Sequence, residues 1–152
     1  GAETGVELAD VLSHRLGVAS NGEDLSLCRR NKYLMGEQVR SHGVRAARQL
    51  MARSWDDCEA FLLDWKPMPF KAVVKPLQSA GSDDVYLCYG PDEVRDAFGI
   101  IDGKINGLGG VNEGALIQEF LDGPEFVVDT VSRDSVHRVC AIWEYDKRSV
   151  NG

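Results

Sequence analysis

Residues 71 to 84, Lys-Ala-Val-Val-Lys-Pro-Leu-Gln-Ser-Ala-Gly-Ser-Asp-Asp, constrain the fold more than any other stretch. Period-two alternation puts Phe70, Ala72 and Val74 on one face of a strand and Lys71, Val73 and Lys75 on the other. Pro76 cannot donate to a ladder, so the strand must end there. The loop Gln78-Ser-Ala-Gly-Ser82 then offers backbone N–H groups, two hydroxyls and one residue free to take positive φ. Successive N–H groups in such a loop can form a concave nest for an anion, and Lys75 stands at its entrance. An ordinary hairpin turn with a snorkelling Lys fits the same residues. A second apolar run, Val85 to Tyr89, is the return strand.

The remaining elements follow from periodicity. Residues 3 to 16 carry Leu8, Leu12 and Leu16 every fourth position and read as a helix stopped by Gly17. Residues 18 to 25 are a polar connector. Residues 29 to 41 read as a second helix, on which Lys32 shares a face with Met35 and Val39. A cation there either snorkels past the core or meets an anion in a cleft. Val44 to Gln49 read as a short strand. Ser54-Trp-Asp-Asp57 has the form of a capping box before the stripe Cys58, Phe61, Leu62 and Trp65. Pro91 opens a helix whose stripe is Val94, Ala97, Phe98, Ile101 and Ile105. Residues 106 to 114 carry four glycines and read as a mobile connector and internal boundary. Three strands follow, near 115–121, 126–132 and 136–145. The order is that of an α+β fold in two lobes.

Composition narrows the function. The net charge is −7 and no run of Lys and Arg exceeds two residues, which argues against nucleic-acid or anionic-membrane partners. No apolar run approaches the ~20 residues that cross a bilayer. Cys28, Cys58, Cys88 and Cys140 are far apart, with no Cys-x-x-Cys pair, and read as reduced thiols of a cytoplasmic protein. Gly1 starts inside a helical pattern and Asn151-Gly152 stops inside a phrase, as in a piece of a longer chain.

Four segments in this order resemble the ATP-grasp superfamily of carboxylate–amine ligases: Arg30-Asn-Lys-Tyr-Leu-Met35, Val73-Val-Lys-Pro76, Ser79-Ala-Gly-Ser82 and Gln118-Glu-Phe-Leu-Asp-Gly-Pro-Glu125. The branch that forms dipeptides from L-amino acids is the most similar in flavour. The resemblance implies an ATP-grasp fold of two lobes with ATP between them, the second lobe truncated. Residues 1–25 would end a preceding domain, 26–114 would be the small lobe and 115–152 the start of the large lobe. Lys32 and Lys75 would bind the phosphates, and Ser79, Ala80, Gly81 and Ser82 would form the lid. Gln118 would face the adenine amino group. The backbone of Glu119 and Leu121 would meet the adenine edge, with Phe120 beside it. Glu125 would hold the ribose hydroxyls. Lys147 would be a further phosphate contact, with Arg148 as the alternative. Asp84 departs from the family's usual glycine, where a carboxylate would repel phosphate unless turned outward.

The implied activity joins a carboxylate to an amine through an acyl-phosphate, using ATP and Mg2+, with metal ligands expected beyond residue 152. The implied partners are small-molecule carboxylates and amines, and a homodimer of the full-length protein is left open. A nucleotide-binding module without turnover and a non-enzymatic interaction domain remain as alternatives.

Overall fold

A computed structural model describes residues 3 to 146, which form two compact units, one running to Phe120 and the other starting at Leu121. The first unit contains helices α1 (Val6–Arg15), α2 (Lys32–Ser41), α3 (Trp55–Trp65) and α4 (Pro91–Ile101). Its strands are β1 (Gln49–Ala52), β2 (Ala72–Lys75), β3 (Tyr86–Cys88) and β4 (Ala115–Glu119). The four strands form one antiparallel sheet in the order β1-β4-β2-β3.

Alternation divides this sheet into two faces with different work. Ala52, Ala72, Val74, Ala115 and Ile117 are fully buried, and they pack with Cys58 and Leu62 of α3 and Val94, Ala97, Phe98 and Ile101 of α4. Each fully buried Val or Ile contributes about 1.5–3 kcal/mol. The opposite face carries Gln49, Met51, Gln118, Val73 and Lys75. The register places Gln49, Gln118 and Val73 side by side in one row across β1, β4 and β2.

The capping box forms as its spacing dictates: Ser54 Oγ accepts from Asp57 N–H at 3.2 Å, and Asp57 accepts from Ser54 N–H at 3.0 Å. Helix α4 starts on Pro91 with two acids in its first turn, but it stops at Ile101. Ile105, assigned to its buried stripe, is therefore 65% exposed. Helix α1 buries none of its residues. It is held instead by Asp10, which accepts from Arg29 and from Ser26 Oγ, each at 2.6 Å.

Two expectations are corrected. The first strand is Gln49–Ala52 and not 44–49, because its limits are set by pairing with β4. The glycine-rich segment 106–114 is no boundary. Asn106 donates to Gln78 O and to Asn112 Oδ1, and accepts from the N–H groups of Leu108 and Gly110. Asn106 and Asn112 are buried. The strand that follows, β4, is central to the first unit, so the division falls after Phe120 and not after residue 114.

The second unit is an antiparallel hairpin of β5 (Phe126–Arg133) and β6 (Val136–Glu144), with a register shift between Asp129 and Thr130. Trp143 Nε1 donates to Asp129 Oδ2 across it at 2.8 Å, and Tyr145 N–H donates to Glu125 O at 2.8 Å. Among the described residues no helix is long and apolar enough to cross a membrane.

Candidate functional site

Lys32 owes its position to Asn31. The Asn31 side chain caps α2, accepting from Tyr33 N–H at 3.0 Å and Leu34 N–H at 3.1 Å, so Lys32 becomes the first helical residue. Its backbone N–H donates to Leu77 O at 3.0 Å, which fixes the start of α2 beside the chain leaving β2. The first turn of α2 holds no acidic residue. A cation therefore sits where the helix dipole favours an anion.

Lys32 Nζ donates to the carbonyl of Ser79 at 2.6 Å, in the loop after β2. Lys75, the last residue of β2, donates through Nζ to Gln118 Oε1 at 2.7 Å. Both lysines are half-buried. Burial is the leading cause that lowers the Lys32 pKa from its ordinary value, and the charges of Lys75 and Arg30 lower it further. Burial lowers Lys75 likewise. Two cations held near one another and partly stripped of water are costly without a counter-charge. An anion would relieve both penalties.

The loop itself is braced from behind. Gly81 adopts φ +67°, as the turn requires. Ser79 is buried, and its hydroxyl donates inward to Asp83 Oδ2 at 2.7 Å. Asp83 also accepts from Gly107 N–H at 2.7 Å, and these two bonds lower its pKa. Ser79 therefore presents its carbonyl to Lys32, while Gly81 and Ser82 are the exposed tip. Asp84 faces Lys104, at 2.7 Å, and accepts from Tyr86 OH at 3.1 Å. Its carboxylate is thus paired, and the objection raised by its position in the sequence is answered by these two partners.

The remaining expected residues divide between the units. In the first, Glu119 Oε2 accepts from Arg48 N–H at 3.0 Å, and Glu119 N–H donates to Arg48 O at 2.8 Å. The Phe120 ring lies 5.3 Å from Lys71 Nζ. Leu121 and Glu125 belong to the second unit and are exposed. Lys147, with Arg148, lies outside the described residues. The structure thus brings together Lys32, Lys75, the 79–82 loop and Gln118, all within one unit. Gln49, Glu37, Asp83 and Asn106, which support them, carried no signal in the sequence beyond a glycine, Gly36, inside a helix.

A cavity of about 500 Å3 in the same unit is lined by Arg30, Asn31, Gln78 and the 106–114 segment, and by neither lysine. Among the described residues no group of three His, Cys, Asp or Glu side chains could hold a metal ion.

No family model matches the chain. Dapdiamide A synthase of Enterobacter agglomerans is 38% identical over 153 residues, an alignment that takes in 100% of this chain and 36% of that protein. The L-amino acid ligase of Bacillus licheniformis superposes with a TM-score of 0.69 at 18% identity, over 94% of this chain and 30% of that one. The D-alanine–D-alanine ligase of Helicobacter pylori superposes with a TM-score of 0.66 at 18% identity, over 97% of this chain and 45% of that one. The chain thus spans about a third of the curated relative it matches. Its fold is the ATP-grasp fold, of which it covers a part, and the proteins it resembles are ATP-grasp ligases.

Proposed function

We propose that this chain supplies the phosphate- and adenine-binding part of an ATP-dependent ligase that joins a carboxylate to an amine. The observation that carries this reading is the convergence of Lys32 and Lys75. Two lysines 43 positions apart in the chain are brought to one sheet face and desolvated. One of them grips the small-residue loop at Ser79.

The chemistry needs little covalent help from the protein. The carboxylate oxygen takes the γ-phosphoryl group of ATP and ADP leaves. The amine then attacks the acyl-phosphate carbon, phosphate departs with the C–O bond electrons, and the amine gives up a proton. What the protein supplies is orientation and fixed positive charge around the transferring group. Lys32, Lys75 and the amides of residues 80–82 would hold the phosphates. Gln118, Glu119, Phe120 and Leu121 would meet the adenine, and Glu125 the ribose. Among the described residues no group of three His, Cys, Asp or Glu side chains could hold magnesium. Similarity to dapdiamide A synthase and to an L-amino acid ligase favours an amino acid as the carboxylate. Four free cysteines, two of them buried, suit a reducing compartment such as the cytoplasm.

Asp84, whose carboxylate would repel phosphate if it faced the loop, is paired with Lys104 and Tyr86. The test is a phosphate-release assay on the full-length protein with ATP and panels of amino acids. Release that requires both a carboxylate and an amine, and that Lys75→Ala abolishes, is the expected result. Release without any acceptor pair, or unaffected by Lys75→Ala, would contradict it.

A further inference from the structure

Gln118 carries an ambiguity that a carboxylate would not. Its amide can present either an oxygen or an NH2 group to a ligand, and the two ends differ little in shape. The structure removes that ambiguity through a chain of hydrogen bonds. Lys75 Nζ donates to Gln118 Oε1 at 2.7 Å, Gln118 Nε2 donates to Gln49 Oε1 at 3.0 Å, and Gln49 Nε2 donates to Tyr33 O at 2.9 Å and to Glu37 Oε1 at 3.0 Å. One end of the chain is an ammonium, which only donates. The other end is a carbonyl and a carboxylate, which only accept. Turning over both amides would set NH2 against the ammonium and oxygen against the Tyr33 and Glu37 acceptors. Turning one over would do so at its own end and break the central bond. The direction of both amides is therefore fixed by their surroundings.

Room for this arrangement is made on α2. A Cβ added at Gly36 would lie 2.4 Å from Gln49 Nε2, so the glycine in mid-helix is where the Gln49 amide docks. Arg40 Nε lies 3.4 Å from the other oxygen of Glu37 and keeps that carboxylate in place.

The result is a donor and an acceptor side by side: Lys75 Nζ, whose three N–H groups can serve Gln118, the base and a phosphate at once, and Gln118 Oε1. The Hoogsteen edge of adenine offers the complement, an acceptor at N7 beside a donor at N6. A purine with oxygen at position 6 offers two acceptors, and its oxygen would meet the oxygen of Gln118. We propose that Gln49 is a positioning residue for base selectivity: it holds the Gln118 amide so that the site accepts a 6-amino purine and rejects a 6-oxo purine. The inference rests on the nucleotide reading above and goes beyond it, since Gln49 touches no ligand in that reading.

The test titrates Mg-ATP and Mg-ITP, which differ at position 6, into the full-length protein and its variants, with circular dichroism as the check on folding. The wild type should prefer ATP at least tenfold. Gln49→Leu removes the acceptor for Gln118 Nε2 and leaves Lys75 as the one remaining hold on the amide direction, so the preference should fall to about threefold or less, mainly through a gain in ITP affinity. A general structural injury would weaken both nucleotides and leave the ratio unchanged. Adding Gln118→Glu to Gln49→Leu should restore the preference for ATP, because a carboxylate has no NH2 end to present. Gly36→Ala, which displaces the Gln49 amide without removing it, should lower the ratio in the same direction and serves if Gln49→Leu does not fold. An ATP-binding wild type whose ratio is near one, or is unaltered in both variants, overturns the inference and leaves the nucleotide site standing. A folded wild type that binds neither nucleotide overturns the nucleotide reading, and the inference with it.

Discussion

Lys32 Nζ and the carbonyl of Ser79 lie 2.6 Å apart across 47 positions of sequence, tying the first turn of α2 to the loop after β2. The cation is held at that loop by a neutral acceptor, and its nearest charged influences other than Glu3 are the repelling Lys75 and Arg30. The loop and the two lysines thus form one electropositive unit, and its behaviour can be predicted from that.

Alkaline pH should stabilise the free protein relative to a variant lacking both lysines. Lys32 and Lys75 have folded pKa values below the ordinary 10.5. Between those lowered values and about 10.4 the unfolded chain binds more protons than the folded one, so unfolding free energy rises with pH across that window. Below the window both ammonium groups are charged and their desolvation works against folding. Urea titrations of wild type and Lys32→Met/Lys75→Met from pH 7 to 10.5 should show the wild type gaining on the variant as pH rises. Phosphate binding raises both pKa values again, so ATP binding in this window should take up protons and weaken with increasing pH. Calorimetry in buffers of different ionisation enthalpy measures that uptake.

Ser79→Ala should cost about 1 kcal/mol of stability, the usual worth of one buried hydrogen bond. It removes the donor to Asp83 and leaves only Gly107 N–H and the nearby Lys104 charge to hold that carboxylate. Asp83 has a lowered pKa, so its share of stability is present above about pH 3.9 and is lost as pH falls through the folded value. The gap between wild type and Asp83→Asn in thermal unfolding should therefore hold from neutral pH down to about pH 4 and narrow below it.

The thiols should react in an order set by burial. Cys58 and Cys88 are buried, and burial pushes their pKa values up to about 12 and about 11. Cys140 is exposed. Thiolate is the reactive form, so iodoacetamide at pH 8 should label Cys140 first, and Cys58 and Cys88 only on unfolding. Peptide mass mapping over a time course checks the order.

Gly36→Ala should change stability by no more than about 1 kcal/mol. Alanine favours the helix by roughly that amount, and the loss of the Gln49 contacts offsets it. Thermal unfolding checks the balance.

What the sequence makes legible here is local. The Ser54–Asp57 cap, the α4 stripe from Val94 to Ile101 and the end of β2 at Pro76 each depend on neighbours within a turn or two. The limits of β1 do not, because its residues become a strand by pairing with partners 63 to 69 positions away. Glycine content in 106–114 suggested mobility, whereas the amides of Asn106 and Asn112 knit the segment from within. The lysines were legible as cations out of place on an apolar face and at a strand end. Gln49 was not, since its role depends on Gln118, on Glu37 and on the missing side chain of Gly36.

The most direct test of the central claim is calorimetric titration of Mg-ATP into the folded full-length protein and its Lys75→Ala variant. The account predicts binding to the wild type that the substitution weakens about tenfold, or about 1.4 kcal/mol. An affinity that Lys75→Ala leaves unchanged, or no binding by the folded wild type, would contradict it.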